Sequence, residues 1–450
     1  MRTPRMLRPP RIAALVATVS VVAIASSVPA GAGGAGSAGS AGSGAGAGAS
    51  STSRAGADTN VDGRLVVASL APETGPLGRI LDSLREPVRL AIDEINAAGG
   101  VGGEATALVT ADEGADAATA VGATQQLLAA QGADAIVGPA TSAAARAILR
   151  TVRGAALLCS GSNTAARPTE LGVRRSGGLY FRTTPPDRLQ GEALARLVLD
   201  DARTDVAVLA SSGPDSAPVA DAAVRALRAG GAKVARVRFD PSDVDLAAEV
   251  GTALRRHPDA IVVVGAVTDA ARAVQALIAS GNGPGVIPVY GNDGLYDPTF
   301  AELVDVSTPG VVAGITGTVP AANPPPTDAP FHALFAATGV EPFFSSYQYD
   351  CTILTALAAV KARSDDPKQM AEVFASNLKG DTDCNTFASC KELLERGKTI
   401  HYRGASSAFE SFGESEPDDG IYDVYGFNPA AEAIVQGPDA QIEVPSPRQR

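Results

Sequence analysis

Residues 135–164 read AIVGPATSAAARAILRTVRGAALLCSGSNT and predict a strand, a helix and a second strand in succession. The first apolar run, 135–137, meets a turn at Gly138 and Pro139, and a helical pattern of apolar residues follows. The second apolar run, 155–158, breaks into SGSNT. Because strand, helix and strand in this order are typical of a parallel sheet, the segment predicts an open α/β fold.

Hydroxyl side chains follow both of these strands. Ser142 comes after the first strand and Thr164 after the second, with Thr141 and Ser162 beside them. In an open parallel sheet, helix N-termini near the carboxyl ends of the strands present free N–H groups, which suit an anion such as a carboxylate. Ser142 and Thr164 are therefore the first ligand candidates, and Thr141 is a further one. The alternative interpretation is that these residues are ordinary helix N-caps.

The first 32 residues have the layout of a secretory signal peptide. Four arginines precede an apolar run at 12–25, and small residues follow up to Ala30 and Ala32. A run of this length is short for a membrane span. We expect export by the Sec route to the periplasm or the cell exterior, and no cysteine lies near the cleavage region to carry a lipid.

The amino-acid composition indicates a linker followed by a folded region in the rest of the chain. Gly, Ala and Ser make up most of residues 33–62, which we expect to be a flexible linker. The remainder is long enough for two lobes. We expect the first lobe at 63–184, the second at 185–297, a return to the first at 298–402, and closing strands with a tail at 403–450.

The chain is acidic, with a formal net charge of −12. The N-terminal arginines belong to the predicted signal peptide, so the exported part is more acidic still. This charge argues against nucleic acid or an anionic membrane as the main partner. No apolar run beyond the signal segment approaches the length of a membrane span.

All four cysteines lie in the exported part, where disulfides persist. Cys384 and Cys390 are separated by five residues and could close a small loop, so we favour this pair. Cys159 and Cys351 would then remain, although four cysteines allow three pairings. A zinc site is the weaker interpretation because there is no CxxC motif and the three histidines are scattered. We expect neither a metal nor a cofactor.

Short β-branched runs alternate with amphipathic helical patterns from Leu65 onward, first to residue 182 and again from 189 to 290. Two α/β units of similar size indicate a cleft between lobes. Further along, we predict a helix at 349–363. Three further strands are predicted at 308–317, 408–412 and 420–427, the last with the alternation of a strand that has one exposed face.

Asp293 follows the strand predicted at 286–290, within GNDGLYD. An aspartate before glycine is usually a turn residue, which is one interpretation of it. Placed opposite Ser142 and Thr164, however, its carboxylate would complete a site for a zwitterion. The hydroxyls would then bind a carboxylate and Asp293 an ammonium group.

Six segments occur in an order and spacing that resemble the type I periplasmic solute-binding proteins, in particular the branched-chain amino-acid (Leu/Ile/Val) binding group of ABC importers. They are LVVASLAPETGPLG, LAIDEINAAGGVGG, ADAIVGPATSAAARAI, LLCSGSNTAARPTE, LYFRTTPPDRLQG and VYGNDGLYD. The resemblance covers about 65 to 430. It implies two doubly wound α/β lobes joined by a three-strand hinge, which close on a solute and present it to a permease.

The resemblance also implies roles for particular residues. Ser142 and Thr164 would bind the substrate carboxylate, Ser162 would contribute a backbone contact, and Asp293 would take the α-ammonium group. Family members often carry a tyrosine in the second lobe, where this chain has Asp215.

At other positions this chain departs from the pattern of the family. Ser216 likewise stands where an aromatic residue is usual, and Val267 stands near another such position. Tyr349 is a lower-ranked candidate for the pocket because tyrosines on such helices often pack in a core.

Motifs of catalysis are missing from the sequence. It contains no GxSxG, HExxH or Walker loop, and GGVGG at 99–103 follows a helix, which makes it a turn and not a dinucleotide site. We therefore expect a monomeric, non-enzymatic solute-binding protein of an ABC importer, with an amino acid or related amide as ligand and a permease as partner. An enzyme built from dispersed residues and a ligand-sensing receptor of the same fold are the alternatives.

Overall fold

The computed structural model describes residues 61–165, 172, 174–324 and 329–446. The predicted signal peptide and the linker up to residue 60 lie outside the described residues, as do the middle of the proline-rich loop at 325–328 and the last four residues. Among the helices that are described, none combines the length and the apolar character needed to cross a membrane.

The first lobe is built on a five-stranded parallel sheet with the order β2-β1-β3-β4-β5. Its strands are β1 Val66–Ala71, β2 Ala107–Asp112, β3 Ala135–Val137, β4 Leu157–Ser160 and β5 Tyr180–Arg182. All of these except β2, at the edge, are buried along their length. Apolar runs without alternation are what helices on both faces of a parallel sheet require.

Helices cover both faces of this sheet, and each face has its own apolar core. The described helices of this lobe are Leu81–Ala97, Ala117–Gln131, Ser142–Ile148, Phe331–Ala336, Ser345–Ala362, Pro367–Phe374 and Phe387–Glu395. Ser345–Ala362 is buried on nearly all sides, including polar residues such as Gln348 and Asp350, and is the most deeply buried of them. It begins four residues before the predicted helix. A small parallel pair, β11 Thr382–Cys384 and β12 Ile400–Tyr402, packs against the same core.

The second lobe contains an eight-stranded mixed sheet. Its strands are β6 Asp205–Ser211, β7 Lys233–Phe239, β8 Ala260–Val264, β9 Val289–Gly291, β10 Thr316–Pro320, β13 Gly420–Phe427, β14 Ala433–Val435 and β15 Ile442–Val444. The path runs β14-β13-β10-β9-β8-β6-β7, and β15 also pairs with β13. Strands β6 to β10 are parallel to one another, whereas β13 is antiparallel to β10.

Five helices flank this second sheet. They are Asp187–Asp200, Ala217–Ala229, Ala247–Leu254, Val267–Ala279 and Phe300–Val304. Short 3₁₀ turns occur at Pro76–Ile80, Asp293–Leu295, Pro309–Val312, Ala375–Asn377 and Pro438–Ala440. The alternation of strand and helix predicted from residue 189 onward is therefore present.

Several expected elements near the lobe crossings differ from the structure. The strand predicted at 308–317 is a 3₁₀ turn followed by β10, and β10 extends the second sheet to Pro320, past the lobe boundary expected at 298. No strand forms at 408–412, because Phe409 and Phe412 pack into the first-lobe core instead. Strand β13 is mostly buried, because Tyr422 packs with Leu189 and Ala193 of the helix Asp187–Asp200, and Tyr425 and Phe427 pack in the second-lobe core.

Both disulfides lie in the first lobe. Cys384 and Cys390 join β11 to the helix that follows it, and Cys159 and Cys351 join β4 to the core helix Ser345–Ala362. The second pair spans 192 residues of sequence. It fixes the strand that carries the SGSNT loop to the most buried helix of the lobe.

Candidate functional site

The loop after β3 is held by a buried carboxylate. Glu113 accepts hydrogen bonds from the backbone N–H groups of Ala140 and Thr141, at 2.6 and 3.0 Å, and from the Thr141 hydroxyl at 2.8 Å. Burial raises the pKa of the Glu113 carboxyl. The Thr141 oxygen also accepts from the Ala144 N–H at 3.2 Å and so caps the helix Ser142–Ile148. Thr141 therefore has the structural role of an N-cap.

The SGSNT loop after β4 is hydrogen-bonded to the loop after β3. The Ser162 hydroxyl donates to the Ala140 carbonyl at 3.1 Å and accepts from the Gln348 amide at 3.3 Å. The Asn163 amide donates to the carbonyls of Pro139 and Ala140 at 3.0 and 3.1 Å. These bonds fix the two predicted ligand loops relative to each other.

Arg182 fixes the backbone on both sides of Thr164. This fully buried guanidinium donates 2.8 Å hydrogen bonds to the carbonyls of Asn163 and Ala165, the two neighbours of Thr164, and forms an ion pair with Glu416. The Ala165 N–H also donates to the Ser142 hydroxyl at 3.4 Å. The backbone on both sides of Thr164 is thus positioned before any ligand arrives.

A cavity of about 260 Å³ lies between the lobes and contains several of the predicted residues. Its described lining includes Thr164 from the first lobe, together with Asp293 and Asp215 from the second. Ser142, Ser162 and Thr141 are not part of that lining; they are partly exposed and hydrogen-bond within and between the loops after β3 and β4. Further lining residues are Asp187, Ser216, Val219, Gly265, Ala266, Val267, Asn292, Gly294, Tyr296, Asp297 and Phe343.

Asp293 begins the 3₁₀ turn that follows β9, at the carboxyl end of the strand. It accepts a 3.0 Å hydrogen bond from the Asn292 amide, and burial raises the pKa of its carboxyl. The glycine after it is needed for close packing, since a Cβ on Gly294 would lie 2.0 Å from the Gly265 carbonyl oxygen. The Asp-Gly pair therefore fixes a carboxylate at the wall of the cleft.

Asp187 is a cleft residue that sequence reasoning missed. It is 3% exposed, and among the described atoms its Oδ2 has no hydrogen-bond partner. Burial, followed by the negative charge of Asp293, raises the pKa of the Asp187 carboxyl to about 8, and a hydrogen bond from the Thr164 side chain opposes this shift. Its position in the sequence could have indicated this role. Asp187 ends TTPPD, the first crossover between the lobes, and such crossovers border the cleft.

Two lower-ranked candidates have partners of their own. Asp215 lines the cavity but is already paired with Arg146, at 2.6 and 3.3 Å. Tyr349 lies in the first-lobe core, where its hydroxyl donates to Glu94 and its ring stacks on Phe331 with centroids 4.5 Å apart. The structure therefore places Tyr349 away from the cleft, because the face of its helix that carries Tyr349 packs into the first-lobe core.

Known proteins resemble this chain over most of its length. The 28% identity with the chemotactic signal transduction system substrate-binding protein BasB of Halobacterium salinarum spans 364 residues, which are 78% of this chain and 84% of BasB. The Leu/Ile/Val-binding protein BraC3 of Rhizobium johnstonii is 26% identical over 70% of this chain and 83% of its own length.

Solved structures show the same fold. A leucine binding protein, LivK, from Thermotoga maritima superposes with a TM-score of 0.65 at 19% identity, covering 86% of this chain and all of its own. A solute-binding protein from R. palustris in complex with 4-hydroxybenzoate gives 0.61 at 15% identity, over 84% of this chain and 97% of its own. The family profile described as periplasmic binding protein matches residues 65–388. The chain therefore belongs to the periplasmic binding protein family, a family of non-enzymatic solute-binding proteins with the type I fold.

Proposed function

We propose that this protein is the extracytoplasmic solute-binding component of an ABC importer and that it binds an amino acid or a related amide between its lobes. The observation that carries the proposal is that Thr164 and Asp293, on opposite lobes, line one cavity. In this proposal residues 1–32 direct export, 33–62 form a linker, and the lobes close about the three chain crossings.

The chemistry of the two walls fits a zwitterion. Asp293 and Asp187 offer carboxylates to an ammonium group, and the Thr164 hydroxyl, which donates to Asp187 in the ligand-free protein, would turn that donor to the ligand's carboxylate. A hydrogen bond to a charged group contributes about 1.5 to 3 kcal/mol. A few such contacts together with lobe closure reach micromolar affinity, roughly −8 kcal/mol. Ser142 and Ser162 would contribute by holding the Thr164 loop.

The relatives support an amino acid as the ligand without fixing which one. BraC3 is named for leucine, isoleucine and valine, whereas a protein of the same fold holds 4-hydroxybenzoate. In this chain Asp215, Ser216 and Val267 line the cavity at or near positions where the resemblance leads us to expect aromatic residues. We therefore propose recognition of the amino-acid backbone with a side-chain preference of its own.

A thermal-shift panel of amino acids, their amides and urea tests this function, with calorimetry on each hit. We expect at least one amino acid to raise the melting temperature. Asp293→Asn should weaken that binding about tenfold to a hundredfold, because it removes a charge-assisted contact. Asp305→Asn is the control, since Asp305 is partly exposed in the same lobe and its carboxylate accepts hydrogen bonds from Ser307 and Thr308 of its own turn, outside the cavity lining. Unchanged affinity in the Asp293 variant would contradict the proposed site.

A second candidate, a receptor that signals instead of transporting, is favoured by one observation. BasB, which matches over more of this chain than BraC3 does, is named as part of a chemotactic signal transduction system. Cross-linking of the ligand-loaded protein on intact cells of the source organism separates the two functions. Recovery of a permease supports import, and recovery of a membrane-bound sensor supports signalling.

A further inference from the structure

A second cavity of about 690 Å³ lies beside the first and is also lined by both lobes. We call it the outer chamber and the 260 Å³ cavity the inner chamber. The first lobe contributes Leu77, Arg79, Ile80, Asp82, Ser83, Gly339, Val340, Glu341, Pro342 and Phe343 to the outer chamber. The second lobe contributes Tyr296, Asp297, Pro298, Phe427, Ala431, Glu432 and Ala433.

The two chambers share a wall. Tyr296, Asp297 and Phe343 line both of them, so the two chambers adjoin at these three residues. Sites for small molecules commonly enclose about 300 to 1,000 Å³. The inner chamber alone falls below this range, and the outer chamber lies within it. The shared residues therefore lie where the smaller chamber, which holds the acids Asp187 and Asp293, adjoins the larger one.

The outer chamber differs from the inner one in chemistry. Its walls are largely apolar, with Leu77, Ile80 and Val340 on one side and Phe427 on the other. Its one lining cation, Arg79, is paired with Asp297 across the lobes. Its other charged lining residues are acids: Asp82, Glu341 and Glu432.

From these observations we infer that the ligand is an α-amino acid with an extended apolar side chain, whose polar end occupies the inner chamber and whose side chain reaches the outer chamber past Tyr296 and Phe343. The inference rests on the proposed function, because it assumes an amino-acid end in the inner chamber. A side chain ending in a carboxylate is excluded by the acidic residues of the outer chamber, whose one cation already has a partner. The side chains of leucine and valine are too short to fill it.

The test is calorimetry of the wild-type protein with four amino acids that share one polar end. The series is L-alanine, L-leucine, L-phenylalanine and L-biphenylalanine, which is phenylalanine with a second phenyl ring. Because each buried apolar group adds to affinity, we expect the Kd to fall along the series and to be at least about tenfold lower for L-biphenylalanine than for L-leucine.

A matched pair of variants locates the effect. Ala433 lines the outer chamber, whereas its neighbour Ile434 on β14 is 51% exposed and is not part of the lining. Ala433→Trp should weaken L-biphenylalanine binding at least about tenfold and change L-alanine binding less than about twofold. Ile434→Trp should leave both affinities unchanged.

The outcomes separate this inference from the proposed function. If L-alanine or L-leucine binds but L-biphenylalanine binds no tighter than L-leucine, the extended ligand is wrong and the proposed function stands. If the Ala433 variant folds and retains wild-type affinity for L-biphenylalanine, the side chain does not enter the outer chamber and the inference also fails. If none of the four amino acids binds but another member of the thermal-shift panel does, this inference fails and the proposed function stands; if no member of either set binds, both are overturned.

Discussion

The two walls of the cleft are built in opposite ways. On the first-lobe wall, the loop bearing Thr164 accepts hydrogen bonds from Arg182, and the Asn163 amide of that loop donates to the loop after β3. The strand before the Thr164 loop is cross-linked to the core helix by the disulfide of Cys159. The facing wall has the acid Asp293, with Asp187 at the adjoining crossover. Both carboxyls have raised pKa values because they are buried.

In the proposed function, this difference means that the two walls contribute to the free energy of binding in different ways. The first wall is organised in advance, so it loses little conformational entropy when it meets a ligand carboxylate. The second wall keeps two acids close together in a buried place, which is unfavourable until a cation arrives. In the proposed function the ligand's ammonium group would relieve that cost, and so the second wall would supply the stronger reason for the lobes to close. The following predictions test each wall and then the contacts between them.

The largest expected effect comes from the disulfides of the first lobe. Replacing Cys159 and Cys351 by alanine opens a loop of 192 residues in sequence separation, and chain entropy predicts a loss of about 5 kcal/mol in unfolding free energy. The same change at Cys384 and Cys390, six residues apart, should lower it by about 2 kcal/mol. Urea denaturation of the two double variants and the wild type measures both. Equal losses of unfolding free energy would show that loop length does not determine how much each disulfide stabilises the protein.

An intermediate effect is expected from Asp187→Asn, measured on ligand-free protein. The folded-state pKa of Asp187, about 8, lies above its ordinary value of 3.8. Between these pH values the folded protein holds a proton that the unfolded chain has lost, so this residue makes stability fall as pH rises from 4 to 8. Asparagine cannot ionise, and the variant should lose this dependence.

Thermal unfolding of wild type and variant at pH 4 and pH 8 checks this sign. We expect a higher midpoint for the variant at pH 8, by about 2 °C, and a smaller difference at pH 4. Asp305→Asn, in its exposed turn, should not show this pattern. A variant that is less stable than wild type at pH 8 would mean that Asp187 is ionised and paired in the folded protein.

The smallest effect concerns two ion pairs that cross between the lobes, Arg79 with Asp297 and Arg146 with Asp215. Both are partly exposed, and such pairs contribute about 0.2 to 1 kcal/mol. Arg79→Gln or Arg146→Gln should therefore weaken ligand binding about twofold at low salt. The difference from wild type should vanish in about 1 M salt because charges are then screened.

Arg396→Gln is the control for this test. Its pair with Glu392 lies within one helix of the first lobe, so it should not alter affinity at either salt concentration. An affinity loss that persists at high salt in the Arg79 or Arg146 variant would assign these arginines a role other than joining the lobes by charge.

Many strands and helices of this fold could be predicted from the sequence, because an apolar run or a helical pattern depends only on residues close together in the chain. The strands after residues 65, 135 and 157 and the buried face of the helix ending at Ala97 follow from spacing alone. The differences lie at 308–317 and 408–412, each shortly before the chain changes lobe, and β10 continues the second sheet past the boundary expected at 298. At those places the partner of each segment is distant in sequence, and local pattern carries no information about it.

The candidate site divides in the same way. Sequence by itself determined that hydroxyls follow β3 and β4 and that Asp293 follows β9, because each comes at the end of a strong strand pattern. Only the tertiary structure decided that Thr164 lines the cavity while Ser142 and Ser162 hydrogen-bond in the neighbouring loops, and that Asp187 joins Asp293 there. The physical reason is that burial and charge coupling depend on segments brought together by folding, whereas strand ends are set by neighbouring residues.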